Sequence, residues 1–281
     1  MAGPDKPSGV TIVTGAAGGM GSHCARLMAE DGWDDLLLCD LFEDRLEAVA
    51  GPLRSNRTKV EVLAGEITAP DFMARLTDAV GSRKIAAVIH TAGIAPQMGE
   101  KDRVLAINLD ATIALVDMIR PRMAEGAAAV LFSSTAGHMP VTPELDALFE
   151  QPMPSGGSAS LLDKVPDSQV AYLVSKRAVR TLVRREAKSF GENGARLVSI
   201  SPGLVDTVMT AGEVNETTQY MLDVAAIQRK GKPEELAAAA VFLASPAASF
   251  VTGADLIVDG GETAGMEQAG LGMADQLANP L

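Results

Sequence analysis

A chain of 281 residues, 47% hydrophobic and 21% charged, has enough apolar side chain for a large core, and its 27 glycines allow many tight turns, a profile that excludes intrinsic disorder. The net charge of -12 repels polyanions, and no Lys/Arg stripe with interleaved aromatics offsets it locally, so nucleic acid is not an expected partner. The longest apolar run, Leu236 to Ala244, is too short to span a bilayer, and no membrane association is expected.

Met1 to Gly9 lack the continuous apolar stretch of a secretory signal, which makes the cytoplasm the expected compartment. Beyond them, β-type runs recur at Val10–Val13, Asp35–Cys39, Lys59–Leu63, Ile85–His90, Ala128–Ser133, Ala195–Ile200 and Asp255–Val258, with helical stretches between. The runs are mostly continuous and not alternating, as in strands covered on both faces, and strands separated by helices join in parallel. The expected fold class is therefore α/β, a single doubly wound, Rossmann-type parallel sheet of about seven strands with helices on both faces. Phe190-Gly191 reads as a helix stop and Lys232-Pro233-Glu234-Glu235 as a helix start. No repeat or linker divides the chain, so one domain is expected over 1–281. Residues 138–168, rich in proline and serine, interrupt the rhythm where a strand should hand directly to a helix and read as an insertion, and 262–281 read as a short tail. Cys24 and Cys39 fall in a helix and a strand, where reduced core thiols are expected in preference to a disulfide or a metal site; no metal is expected.

Two local patterns carry chemistry. Thr14-Gly15-Ala16-Ala17-Gly18-Gly19-Met20-Gly21 follows the first strand and opens a helix, where glycines let the backbone approach a pyrophosphate and the helix N-terminus supplies donors. Asp40 stands nineteen positions after Gly21 at the end of the second strand, where an acid can accept from both ribose hydroxyls. Farther on, Tyr172 and Lys176 stand four apart, on one face of a helix. A phenol of pKa about 10 is a poor base at neutral pH, and a neighbouring ammonium that favours the phenolate brings it toward the working range.

The Thr-Gly-x-x-x-Gly-x-Gly loop and the Tyr-x-x-x-Lys pair resemble those of the classical short-chain dehydrogenases/reductases, and the likeness runs along nearly the whole chain. It implies NAD as cofactor and a catalytic set of Asn108, Ser134, Tyr172 and Lys176, with Ser134 bonding the substrate oxygen, Tyr172 exchanging the proton, Lys176 serving ribose and phenol, and Asn108 positioning a relay water. Ser133 is the rival for the serine role. The cofactor would be held by Gly15, Gly19, Met20 and Gly21, by Asp40 and Leu41, by Glu66 and Ile67, by Thr91, Ala92 and Gly93, and by Pro202, Gly203, Val205 and Thr207, along with Tyr172 and Lys176. The family's Asn-Asn-Ala-Gly is here His90-Thr91-Ala92-Gly93, and Glu66 replaces an Asp; His90 is expected to be a packing residue. His23 and His138 show no partner cluster, and structural or surface roles are expected.

The implied reaction interconverts a secondary alcohol and a ketone; the competing reading is a non-catalytic NAD(H)-binding regulatory protein of the same fold. Leu204, Val208, Met209 and Met221 suggest an apolar substrate wall, although such residues also make ordinary core. The insertion reads as a substrate-side cap or as a tolerated loop, with Pro143–Phe149 as a short helix and Pro152, Pro154 and Gly156-Gly157 as a return turn. Its position is similar to that of the long segment in bacterial 3α-hydroxysteroid dehydrogenase/carbonyl reductases. That likeness implies a steroid or other bulky apolar alcohol as substrate, and a homodimer, with a tetramer as the family's other assembly.

Overall fold

Seven runs of β-branched and aliphatic residues form the strands β1 Val10–Thr14, β2 Asp35–Asp40, β3 Lys59–Ala64, β4 Ile85–His90, β5 Met123–Phe132, β6 Arg196–Pro202 and β7 Asp255–Val258. They make one sheet in the order β3-β2-β1-β4-β5-β6-β7, every pairing parallel. The computed structural model describes residues 6–55, 57–149, 157–207 and 216–271. Every residue of β1, β4 and β6 is buried, because helices cover both faces and leave no solvent side for polar alternation.

The helices are α1 Gly19–Glu30, α2 Glu43–Leu53, α3 Phe72–Val80, α4 Lys101–Leu105, α5 Ala111–Ile119, α6 Pro143–Ala147, α7 Ser168–Glu192, α8 Glu216–Val224, α9 Pro233–Ala244 and α10 Glu262–Met266. On one face of the sheet Phe72, Leu76, Leu115, Val179 and Phe190 pack on Ile12, Val88 and Leu197; on the other, Cys24, Met28, Leu46, Leu236 and Ala240 pack on Leu36, Ile89 and Val198. Cys24 and Cys39 are free thiols inside these layers, and burial pushes both pKa values up to about 12. Among the described residues no His/Cys/Asp/Glu group could hold a metal, and no helix is long and apolar enough to cross a membrane.

Several boundaries differ from the expectation. Helix α7 runs through Gly191 and stops at Asn193, with Gly194 supplying the left-handed turn (φ 71); the apolar anchor Phe190 is fully buried and holds the last turn in place, which outweighs one helical glycine. Strand β5 begins at Met123, paired with Ile85, and the ladder resumes at Ala87 and Ala128 after the left-handed turn at Gly126 (φ 76). The Pro233 start of α9 is as expected, and Glu235 Oε2 accepts from the Lys232 N–H at 2.7 Å. The tail is helical from Glu262 to Met266 and continues in a π-type turn that kinks at Gly270 (φ 75); Gly265 lies so close to Val224 that a Cβ there would sit 1.9 Å from its carbonyl oxygen.

The insertion lies against the helical layer. Thr142 caps α6, Leu145 and Phe149 are buried in the core, and Arg177 of α7 bonds Asp146 at 2.7 Å. The return arm is held by Asp110, which accepts from Ser158, and by Lys101, whose Nζ donates to the Leu162 and Val165 carbonyls at 2.9 Å each. The expected return turn falls mostly in 150–156, and Val208 and Met209 in 208–215, outside the described residues.

Candidate active site

The carboxyl ends of β1, β4, β5 and β6 lie side by side, and each gives out into a segment that the sequence singles out. Thr14 leads into the glycine-rich loop, His90 into Thr91-Ala92-Gly93, Phe132 into Ser133-Ser134, and Pro202 into Gly203. The chain reverses its strand order between β1 and β4, and a crevice outside the carboxyl ends at such a point is where open α/β sheets bind ligands.

The glycine-rich loop is built for close approach. Gly15 has φ 68, and a Cβ at Gly21 would sit 2.1 Å from the Gly15 carbonyl oxygen, so only glycine lets α1 start this close to the loop. Thr91 Oγ1 donates to the Thr14 carbonyl at 2.8 Å, pinning the same loop to the end of β4. Asp40 reaches across from β2: one carboxylate oxygen accepts from Ala17 N at 2.9 Å and the other from Leu41 N at 2.7 Å. Each oxygen keeps a lone pair for a ligand hydroxyl. A cradle without Cβ atoms at a helix N-terminus, with a rigid carboxylate beside it, fits a dinucleotide's pyrophosphate and ribose diol.

Other residues of the expected cofactor set take different positions. Met20 and Ile67 are half-buried against the two cores, Val205 is a core residue, and Leu41 is 41% exposed at the rim. Glu66 turns toward Thr68 and Arg103, at 3.3 and 3.7 Å. A Cβ on Gly19 would lie 3.1 Å from Thr207, so the segment after Pro202-Gly203 comes back to the glycine-rich loop. Gly203 is closely backed by Asp259 and Glu262, and burial first of all raises the Glu262 carboxyl to about 7.

Deeper in the crevice, α7 presents Tyr172 half-buried and Lys176 buried, the ammonium 5.6 Å from the ring centre. Burial pushes Lys176 down to about 8, and its Nζ donates to the Phe132 carbonyl at 3.0 Å. The two serines separate cleanly. Ser133 is buried and donates to the Lys176 carbonyl at 2.9 Å, while Ser134 stays half-exposed with its Oγ accepting from Ala136 N. Asn108 sits in a π-type turn (Ala106–Asp110) between α4 and α5. Its side chain is committed to the Ile94 main chain, accepting from N at 2.8 Å and donating to O at 2.9 Å, and its backbone carbonyl accepts from Thr112 Oγ1 at 2.9 Å.

All three histidines have partners that sequence reasoning missed. His90 is buried between Thr14 and Thr112, at 2.7 and 2.9 Å; burial, and after it the Lys176 charge, push its pKa down to about 3. His138 is buried against Asp255 and Ser201, at 2.8 and 3.2 Å. His23 faces Glu234 at 3.6 Å.

The fold and loop define a dinucleotide-binding class of α/β protein. Residues 9–144 match the family model described as short chain dehydrogenase, and 157–263 that described as enoyl-(acyl carrier protein) reductase. The chain is 33% identical over 261 residues to galactitol 2-dehydrogenase (L-tagatose-forming) of Cereibacter sphaeroides, covering 89% of this chain and 93% of that enzyme. It is 29% identical over 212 residues to the 3-alpha-hydroxysteroid dehydrogenase/carbonyl reductase of Comamonas testosteroni, covering 72% and 82%. Among solved structures, the 3-alpha-hydroxysteroid dehydrogenase of Pseudomonas sp. B-0831 complexed with NADH aligns with a TM-score of 0.75 at 27% identity, over 92% of this chain and 98% of that one. The chain belongs to the short-chain dehydrogenase family, oxidoreductases that act on alcohols and ketones with a nicotinamide cofactor.

Proposed function

We propose that the chain is an NAD-dependent dehydrogenase/carbonyl reductase that interconverts a secondary alcohol and a ketone, with Tyr172 as the general acid/base. The observation that carries this reading is the buried Lys176 ammonium 5.6 Å from the Tyr172 ring, at the carboxyl ends of the central strands. NAD, when bound, supplies hydride exchange.

The chain's own residues do the rest. The glycine-rich loop holds the pyrophosphate, Asp40 the adenosine ribose, and Thr91-Ala92-Gly93 and Pro202-Gly203 to Thr207 line the way to the nicotinamide side. Ser134 donates to the substrate oxygen. Tyr172 takes the hydroxyl proton during oxidation and returns it during reduction, and Lys176 lowers the cost of the intervening phenolate. The Asn108 carbonyl holds a water through which that proton reaches solvent. Ser134 is preferred to Ser133 because the Ser133 hydroxyl is spent on α7.

Leu204 and Met221, both half-buried, favour an apolar substrate wall, and the named activity of the Comamonas relative makes a steroid or similarly bulky alcohol the first class to try. We read 1–281 as one domain with an insertion at 138–168. A homodimer fits the insertion's place on the α5–α7 layer, and the two buried free thiols fit the cytoplasm. The test is a panel of secondary alcohols, steroids included, with NAD, followed at the nicotinamide absorbance. Turnover of at least one class is expected, and none across the panel, in either direction, overturns the reading.

A further inference from the structure

His90 stands where the family carries an asparagine, and it is surrounded by hydroxyls whose directions can be worked out. Thr112 Oγ1 donates to the Asn108 carbonyl at 2.9 Å. A hydroxyl has one proton, so toward His90 Thr112 can only accept, which puts the imidazole proton on Nε2, 2.9 Å away. The ring is neutral, as its burial requires, and Nδ1 therefore accepts from Thr14 Oγ1 at 2.7 Å. Thr14 in turn is left as acceptor toward Ala92 N at 3.5 Å. The result is one chain of hydrogen bonds, all pointing the same way: Ala92 N–H to Thr14, Thr14 to His90, His90 to Thr112, and Thr112 to the Asn108 carbonyl. Such a chain is cooperative in a buried setting, and its members Thr14, His90, Thr112 and Asn108 are all buried.

We propose that His90 is a positioning residue that locks the nucleotide-binding loop to the Asn108 carbonyl, so that cofactor seating and the proton-relay carbonyl are set by one buried chain. The proposal rests on the reading of Asn108 given above. The chain's two ends make it specific. Thr14 and Ala92 belong to the segments that would carry the dinucleotide, and Thr112 and Asn108 to the turn that would hold the relay water. Packing alone does not explain this arrangement, because an apolar side chain of the same volume would fill the space but leave the buried Thr14 hydroxyl proton without its acceptor and Thr112 with only its bond to the Asn108 carbonyl.

The experiment uses four variants of the full chain: Thr14→Val, His90→Leu, His90→Gln and Thr112→Val. NADH affinity is measured by fluorescence titration, and kcat at saturating cofactor. Thr14→Val is expected to weaken NADH several-fold, by about the loss of one buried hydrogen bond. Thr112→Val is expected to lower kcat about ten-fold while changing NADH affinity less. His90→Leu is expected to show both losses. His90→Gln, which carries a donor and an acceptor on one neutral amide, is expected to restore most of both. A His90→Leu variant whose NADH affinity and kcat stay within two-fold of wild type, whatever its melting temperature, overturns the proposal. So does a Thr112→Val variant with unchanged kcat, which decides the matter if His90→Leu fails to fold. A Tyr172→Phe control that still turns over would sink the general acid/base assignment alone, since the NADH titrations judge the chain independently.

Discussion

His138 Nε2 lies 2.8 Å from a carboxylate oxygen of Asp255, 117 positions away in the chain, and so ties the turn that begins at Ser134 to the last strand of the sheet. Asp255 also accepts from Ser199 at 2.5 Å and from Ser201 at 2.8 Å, and pairs with Arg180 at 3.3 Å. Burial alone would raise its carboxyl, but the bonds from His138, Ser199 and Ser201 and the Arg180 charge prevail, leaving the pKa below its ordinary 3.8. A depressed folded-state pKa gives stability that is fully present above the unfolded value and lost as pH falls through the folded one. Asp255→Asn should therefore cost about 3 kcal/mol in urea unfolding at pH 7 and clearly less at about pH 3. An equal cost at both would show that the charge is not what holds the turn.

Tyr172→Phe should abolish turnover and leave NAD titration nearly unchanged, because it removes one proton and almost no contact area. Lys176→Ala should weaken both, since the same ammonium is asked to serve phenol and ribose. A Phe variant retaining most of its kcat would remove Tyr172 from the chemistry.

Asp40 should make the enzyme prefer NAD. Both its oxygens are held by main-chain N–H groups, so the carboxylate cannot swing away from a 2′-phosphate, and a charge pair at 4 Å with an effective dielectric of 20 repels by about 4 kcal/mol. Arg45, the nearest cation along the chain, is stacked 5.1 Å from the Phe42 ring. Comparison of kcat/KM for the two cofactors checks this, and Asp40→Ala should narrow the gap by at least about ten-fold.

Replacing Thr142 to Asp163 by a short Gly/Ser link should change both substrate choice and mass in solution. The exchange strips Leu145, Phe149 and Leu161 from the core they share with Leu109, Ile113, Ala178 and Leu182, uncovering an apolar helical face. Light scattering should then report a species larger than the parent, and the kcat/KM ratio of large to small alcohols should shift. No change in either, with NAD still bound, would make the segment an ornament.

The strands were legible because burial on both faces writes itself as unbroken runs such as Ile85–His90, and the glycine-rich loop and the Tyr172/Lys176 pair because each is a local pattern with one geometric meaning. What escaped is what needs distant partners. Nothing near His138 in sequence points to Asp255, and nothing near Lys101 points to the carbonyls of Leu162 and Val165. Gly191 read as a stop because propensity weighs it alone, whereas the fold weighs it with the buried Phe190 beside it. Ser133 and Ser134 are equivalent in composition; the family motif alone sets them apart in the sequence, and the engagement of the Ser133 hydroxyl by α7 is visible only in the fold.

The contact between Gly15 and Gly21 leaves no room for even one methyl group at either position. Attempts to retune cofactor choice by replacing either glycine would therefore trade selectivity for loss of the site itself. The rim offers more freedom: Leu41 and Phe42 are 41% and 49% exposed directly after Asp40, and a basic or hydroxylated pair introduced there could meet a phosphate without disturbing the packing that shapes the loop.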